Sequence, residues 1–526
     1  MYKLLLSWRY LRTRYIALAS IISVTLGVAT LIVVNSVMAG FSREMYQRLH
    51  GILSDLVFET QNLDGFPDPE WHMEQILGVI GDQVAGMTPV VHVPALLRMR
   101  VRGQYHTRQI NLIGIDEATY ARVSDFGQYL LHPENRRQLS FLLREDGYAP
   151  GRKDFPPCGW KHRRMWAAFD RALEEQRRII DRQRGAPPGE AASGGPAGHG
   201  SAPSSPPAGI PVDPLVQLAP PVEENVFDPL KEQHTGIILG IALCSIRARN
   251  TRQEVQDFYL CRPGDDVEVI MPNASPNASS RLRPVNDFFT IVDLYESKMS
   301  EYDSSFAFVP LKKLQDLRGM IDPATNVGRV TSIQIKLKPG ADLNAVRDRL
   351  RARFPADQAP YHIETWRDLQ GPLLAAVRLE TTILNILLFL IIAVAGFGIL
   401  ATFFMIVVEK TRDIGILKAL GAPSGGVMSI FLSYGVALGA VGSGAGMAIG
   451  LLFVAHINAI ARWVERLTGQ PVFDPTVYYF QEIPTDIEPW TVTQVVAGAL
   501  LIAVLASVLP ALRAARLHPV EALRYE

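Results

Sequence analysis

The chain offers few residues arranged for covalent chemistry. Its 11 histidines are scattered and no Cys-x-x-Cys or His-Glu-x-x-His occurs, so no metal-ligand spacing is present. Ser, His and Asp recur without pattern, and a hydrolytic triad is a geometry that spacing does not define. There is no Gly-x-x-x-x-Gly-Lys-Ser/Thr and no Gly-Lys pair, so the chain lacks the cradle that holds nucleotide phosphates. Any ATPase it works with is a separate polypeptide, and no catalytic residue is assigned. What is patterned is non-covalent. EKTRDIGILKALGAP, residues 409–423, opens on Glu409 and sets Lys410, Arg412, Asp413 and Lys418 beside an apolar edge of Ile414, Leu417 and Leu420. Gly421 stands at a helix C′ position and Pro423 just beyond it. GAVGSGAGMAIG spaces Gly442, Gly446 and Gly450 four residues apart, on one helix face that lets backbones approach closely in a bilayer. A substrate route along that face is the alternative to packing. NASPNASSRLRPVND, a long polar hairpin loop, carries Arg281, Leu282, Arg283 and Pro284 between the strand-like DDVEVIMP and FFTIVDLY.

The elements that must position these groups are membrane helices. No charge falls between Arg14 and Arg43, from Thr381 to Val408, from Ala419 to Ala461, or from Trp490 to Leu512. About 20 mostly apolar residues cross the hydrocarbon core, and in lipid an unbroken apolar run satisfies its backbone as a helix. The first run is about twice the length of a signal-peptide core, so it reads as an uncleaved anchor. Lys3, Arg9, Arg12 and Arg14 precede the first span; Lys410, Arg412 and Lys418 lie between the second and third; Arg513, Arg516 and Arg524 follow the fourth. The positive-inside rule puts these three groups in the cytoplasm. The expected order is residues 1–40, cytoplasmic N-terminus and first span; 41–378, a periplasmic domain; 379–408, second span; 409–423, cytoplasmic loop helix. Then come 424–455, third span; 456–489, periplasmic loop; 490–512, fourth span; and 513–526, cytoplasmic C-terminus.

Lys+Arg and Asp+Glu both total 52, which argues for no nucleic-acid partner. Cys158, Cys244 and Cys261 read as small apolar residues, with a Cys244–Cys261 disulfide as the alternative. The region between the first two spans reads as α+β. ALLRMRVRG, QINLIGID, SFAFVPL and TSIQIKLKPG are short strands bounded by turn residues, and LNAVRDRLRARF is a helix. An insertion runs from about Pro133 to Glu232. In it, HRRMWAAFDRALEEQRRIIDRQR sets Met165, Trp166, Phe169, Leu173 and Ile180 near one helical face, expected to pack on the domain, with contact to the membrane surface or a partner as the alternative. Residues 185–226 are too rich in Pro, Gly, Ala and Ser to bury a core and are expected to be disordered. The first two spans exceed bilayer thickness, so both helices are expected to continue outside as a stalk, unless tilt absorbs the excess.

VTLGVATLIVVNSVMAGFSREM, ESKMSEYDSSFAFVPL, LIIAVAGFGILATFFMIVVEKTRDIGILKALGAP, VYYFQEIPTDIEPWTV and the ending PALRAARLHPVEALRYE together resemble the lipoprotein-releasing permeases (the LolC/LolE family). These sit within the FtsX-like and MacB-like ABC-transporter permeases. The resemblance covers most of the chain except the insertion. It implies a membrane α-helical protein of type VII ABC fold, with four transmembrane helices and a large α+β periplasmic domain between the first two. It implies residence in a bacterial inner membrane and a dimer with a second copy or paralogue. ABC ATPase subunits would bind the ATP and magnesium, leaving this chain without cofactor. The substrate would be a lipoprotein taken from membrane lipid and passed to a periplasmic carrier. Residues 409–421 would be the helix that couples to the ATPase. Arg281, Leu282, Arg283 and Pro284 would form a hook for the carrier, against the plain reading of a mobile surface loop. The alternatives are an FtsX-like regulator of a cell-wall hydrolase and a MacB-like exporter of amphiphiles; the missing fused ATPase counts against the latter.

Overall fold

A computed structural model describes residues 15–52, 54–60, 62–101, 103–152, 155–183, 227–249, 255–274, 284–355, 361–468, 482–518 and 520. Helices of eight residues or more are numbered with the strands in chain order. The first elements are α1 (Tyr15–Ile52), β1 (Leu56–Thr60), α2 (Pro69–Ile80), β2 (Val84–Val101), β3 (Gln104–Ile115) and α3 (Gly159–Gln183). Next come β4 (Thr235–Gly240), β5 (Ser245–Arg249), β6 (Val255–Tyr259), β7 (Asp266–Met271), β8 (Val285–Tyr295), β9 (Phe306–Pro310), α4 (Leu311–Arg318) and β10 (Ser332–Leu337). The chain ends with α5 (Leu343–Arg353), β11 (Tyr361–Thr365), α6 (Gly371–Glu409), α7 (Thr411–Ala419), α8 (Ser424–Ala455), α9 (Ile457–Thr468) and α10 (Pro489–Arg516). It divides into two compact units, one of residues 1–53 with 366–526 and one of residues 54–365.

The first unit is helical. Among the described residues α1, α6, α8 and α10 are long and apolar enough to cross a membrane. Helices α1 and α6 have 38 and 39 residues. At 1.5 Å per residue each extends over roughly 57 Å, nearly twice a hydrocarbon core of about 30 Å. Val28 and Ile32 of α1, Ile399 and Phe403 of α6, Leu438 of α8 and Ala503 of α10 are buried together. A buried hydrogen bond of 2.8 Å between the Ser20 and Thr402 hydroxyls ties α1 to α6.

The second unit is α+β. Its nine-stranded sheet runs β11-β1-β10-β2-β3-β9-β4-β8-β7, and β7 also pairs with β2. That extra pairing closes β2-β3-β9-β4-β8-β7 into a six-stranded barrel, which removes both sheet edges there. Strand β2 serves both halves because it is 18 residues long: Met87 pairs with Ile335 of β10, and Leu96 with Ile270 of β7. Most pairings are antiparallel, while β3–β9 and β4–β8 are parallel. The segment ESKMSEYD, one of those that carry the family resemblance, is a turn built around one carboxylate. Asp303 accepts from the Ser297 amide at 2.8 Å, the Ser297 hydroxyl at 2.6 Å and the Lys298 amide at 3.1 Å. All three cysteines carry free, buried thiols.

The insertion begins inside the core, and one expectation about it is corrected. Leu139, Phe141 and Leu143 are buried with Ile238, Val292 and Phe308 of β4, β8 and β9, and the Tyr148 hydroxyl donates to the Val292 carbonyl at 2.8 Å. Leu139, Phe141 and Leu143 stand at every second position, the spacing of a half-buried strand, but the run is short and forms no strand, so alternation alone did not mark it as core. Helix α3, in turn, does not pack along its apolar face. Its first turn is held by His162 against Asp265 at 2.8 Å and by Arg163 against Asp266 at 2.7 Å. Beyond that, Met165, Trp166 and Phe169 are 57%, 52% and 52% exposed. A helical period requires a stripe; it does not supply a partner for it. The expected disordered stretch, 185–226, lies outside the described residues.

Candidate functional site

The most developed surface feature of the helical unit is the turn carrying α7. Helix α6 ends at Glu409 and α7 begins at Thr411, whose hydroxyl reaches back to the Val407 carbonyl at 3.0 Å. Lys410 and Asp413, one turn apart, form a 2.6 Å ion pair. At the far end Gly421 has φ 93° and closes a Schellman motif. Its amide donates to the Lys418 carbonyl at 3.0 Å, and the Ala422 amide to the Leu417 carbonyl at 3.1 Å. A left-handed φ is easy only for glycine, and Pro423 then opens the N-terminus of α8.

Helix α7 has two faces. Thr411, Ile414 and Gly415 turn inward, and Ile414 joins the buried cluster with Val407, Val427, Ala511 and Ala514. Ile416, Leu417 and Leu420 turn outward, Leu420 being 80% exposed, with the exposed Asp413 on the same side. The expected edge of Ile414, Leu417 and Leu420 is therefore split: Ile414 belongs to the protein's own core, and Ile416 takes its place outside. Lys418 is also turned inward. Its ammonium donates to the Ala515 and Leu517 carbonyls at 2.7 and 2.8 Å. Those carbonyls end α10, where a helix presents unpaired acceptors and partial negative charge. Arg412 stays exposed. What α7 can do is present an apolar, partly charged face to a second protein while locked to the ends of α6 and α10.

Two stripes of small residues let α8 pack on both sides. A methyl at Gly446 would lie 2.7 Å from the Thr25 carbonyl oxygen and 2.8 Å from Val28 of α1; Gly442 and Gly450 meet Val24, Ala29 and Ile32 at 3.0–3.2 Å. The Thr25 hydroxyl donates to the Gly442 carbonyl at 3.1 Å. Gly435 and Gly439, not singled out in the sequence, make the same approach to Ser507 and Ala503 of α10 at 2.5 and 2.8 Å. Their spacing of four residues was the available signal.

Of the hook residues, Arg281, Leu282 and Arg283 lie outside the described residues. Pro284 is exposed and immediately precedes β8, whose Val285 pairs with Met271 of β7, so the loop does connect a β-hairpin. No group of three or more His, Cys, Asp or Glu that could hold a metal occurs among the described residues.

Residues 385–519, which contain α7, α8 and α10, match the family described as FtsX-like permease C-terminal. The chain thus carries an FtsX-like permease domain together with, among the described residues, four helices long and apolar enough to cross a membrane, and the proteins it is similar to are ABC-transporter permeases. Within that class it is similar over nearly its whole length to a lipoprotein-releasing system transmembrane protein, LolC of Xylella fastidiosa (strain 9a5c). Identity is 24% over 525 residues, covering 98% of this chain and 97% of the relative. LolC of Neisseria meningitidis serogroup B (strain ATCC BAA-335 / MC58) is 29% identical over 314 residues, 59% of this chain and 70% of its own. The macrolide export ATP-binding/permease protein MacB of Bdellovibrio bacteriovorus is 26% identical over 205 residues, covering 38% of this chain and 28% of that one.

Proposed function

We propose that the chain is the permease subunit of an inner-membrane ABC transporter that releases lipoproteins for transfer to a periplasmic carrier. The observation that carries the coupling half of this reading is the outward apolar face of α7, clamped to α10 through Lys418 and continuous with the long helix α6. A force applied to Ile416, Leu417 and Leu420 by an ATPase subunit would pass directly into α6, because the Schellman turn and the two carbonyl contacts leave α7 no freedom to slide. The substrate half rests on the near full-length similarity to LolC, with β7–β8 residues Arg281, Leu282, Arg283 and Pro284 offered as the carrier hook. Two permease subunits and two ATPases, the latter holding ATP and magnesium, complete the assembly. The unit of residues 54–365 then lies in the periplasm, since the basic residues cluster at the opposite ends of the spans.

Proteoliposomes holding the permease, its co-purified ATPase and a labelled lipoprotein test this reading. ATP should move label to a soluble acceptor. Export of a small amphiphile without lipoprotein release would support the MacB-like alternative, and ATP hydrolysis without transport of either the FtsX-like regulatory one.

A further inference from the structure

Helices α1, α6 and α10 leave a cleft of about 480 Å³ in the helical unit. It begins beside Asp486, Glu488 and the first turn of α10 and runs down to Ile392 and Ile502. Those two residues lie with Leu31, Leu388 and Val495 in an apolar cluster of their own. Arg513 and Arg516 end α10 at its other terminus, so the positive-inside rule sets the mouth of the cleft at the outer leaflet. From Pro489 to Ile502 is 13 residues, about 20 Å along the helix. The cleft thus reaches from headgroup level past the middle of a leaflet.

Its lining is zoned. At the mouth Arg43 pairs with Asp486 at 2.9 Å, and Glu488 accepts from the Thr491 hydroxyl at 3.0 Å. Below stand three amides, Asn35, Asn385 and Gln494; below those the walls are apolar. Asn35 spends one N–H on the Leu31 carbonyl of its own helix. Asn385 and Gln494 are exposed and have no hydrogen-bond partner among the described residues. Amide side chains at bilayer depth are costly unless they meet a polar group. Charge, then hydrogen-bond donors, then hydrocarbon is also the order of groups along a glycerophospholipid. The volume falls within the range of roughly 300–1,000 Å³ that holds one small ligand, and it is too small for a folded polypeptide.

We propose that this cleft binds one glycerophospholipid of the surrounding leaflet that carries a primary-ammonium headgroup. An acyl chain lies along Ile392, Val495 and Ile502; Asn385 and Gln494 donate to the glycerol ester and phosphate oxygens; the ammonium sits beside Glu488 and the phosphate faces Arg43. An anionic headgroup would meet Glu488 and Asp486 without a compensating cation of its own.

The test delipidates the full chain in detergent and titrates it with phosphatidylethanolamine, phosphatidylglycerol or a triacylated lipopeptide, counting bound molecules by native mass spectrometry. One phosphatidylethanolamine should be retained at about tenfold lower concentration than phosphatidylglycerol, as a charge-assisted contact warrants. Glu488→Gln should erase that preference. Asn385→Leu with Gln494→Leu should weaken both phospholipids. Gly498 lines the cleft, and a Cβ added there would meet no atom within 4 Å, so Gly498→Phe should plug it and abolish binding without disturbing the helices. Equal retention of the two phospholipids, binding unchanged in Gly498→Phe, or a lipopeptide that displaces phosphatidylethanolamine would each overturn the proposal.

Discussion

Lys418 and Ala515, 97 residues apart in the chain, are joined by a 2.7 Å hydrogen bond from ammonium to backbone carbonyl. The same ammonium bonds the Leu517 carbonyl. One side chain thus fastens the short helix α7 to the end of α10. Hydrogen bonds involving a charged group contribute about 1.5–3 kcal/mol. Lys418→Met should keep ATPase binding but lower lipoprotein released per ATP several-fold, because α7 would move without carrying α10. Release per ATP equal to wild type would remove the clamp from the mechanism.

Leu417→Asp and Leu420→Asp probe the outward face instead. Burying a leucine against a partner is worth about 1.5–3 kcal/mol, and a carboxylate there adds a desolvation cost. Each variant should reduce ATPase co-purification by tenfold or more while the permease still reaches the membrane. Ile414→Asp should behave differently and lower the yield of folded protein, since Ile414 is buried in the chain's own core.

Gly446 and Gly444 form a matched pair. Alanine is the better helix former at either site by roughly 1 kcal/mol. A Cβ at Gly446 would press on the Thr25 carbonyl, whereas Gly444 has nothing within 4 Å. Thermal unfolding in detergent should therefore show Gly444→Ala neutral or stabilised and Gly446→Ala destabilised by about 1–3 kcal/mol. Equal effects would mean that α1 and α8 do not approach as closely as the glycines allow.

The unit of residues 54–365 should lose stability as pH rises. Burial pushes the Asp293 and Asp303 carboxyls up to about 7, against hydrogen bonds to each that pull the other way. In the unfolded chain both release their protons near the ordinary value of about 4. Between those limits the folded state binds more protons than the unfolded, so its stability falls from pH 4 to pH 7 and levels off above. The melting temperature should be higher at pH 5 than at pH 7.5. Asp293→Asn with Asp303→Asn should flatten that difference, even if both variants melt lower throughout; an unchanged pH slope would show that other groups set it.

Some of this architecture needed no coordinates. The helices α1, α6, α8 and α10 were legible because a bilayer imposes its rule locally: an uncharged run of sufficient length has to satisfy its own backbone, whatever surrounds it. The end of α7 at Gly421 was legible for a similar reason, since a left-handed residue and a following proline act within one turn. The strand-rich character of the region between the first two spans was readable from alternation and turn residues.

Tertiary structure decided the rest. Whether Ile414 or Ile416 faces outward depends on Val427 and Ala511, which approach α7 from α8 and α10. The closure of the barrel depends on β2 being shared between β10 and β7, a pairing of strands far apart in the chain. The apolar stripe of α3 was plain in the sequence, but its exposure was not, and the short alternation of Leu139, Phe141 and Leu143 did not reveal that it belongs to the core. The gathering of Asn35, Asn385 and Gln494 around one cleft follows the same logic. Periodicity reports what a segment presents, because that is set by its own backbone geometry. What covers the presented face is set by residues hundreds of positions away, and only the folded chain brings them together.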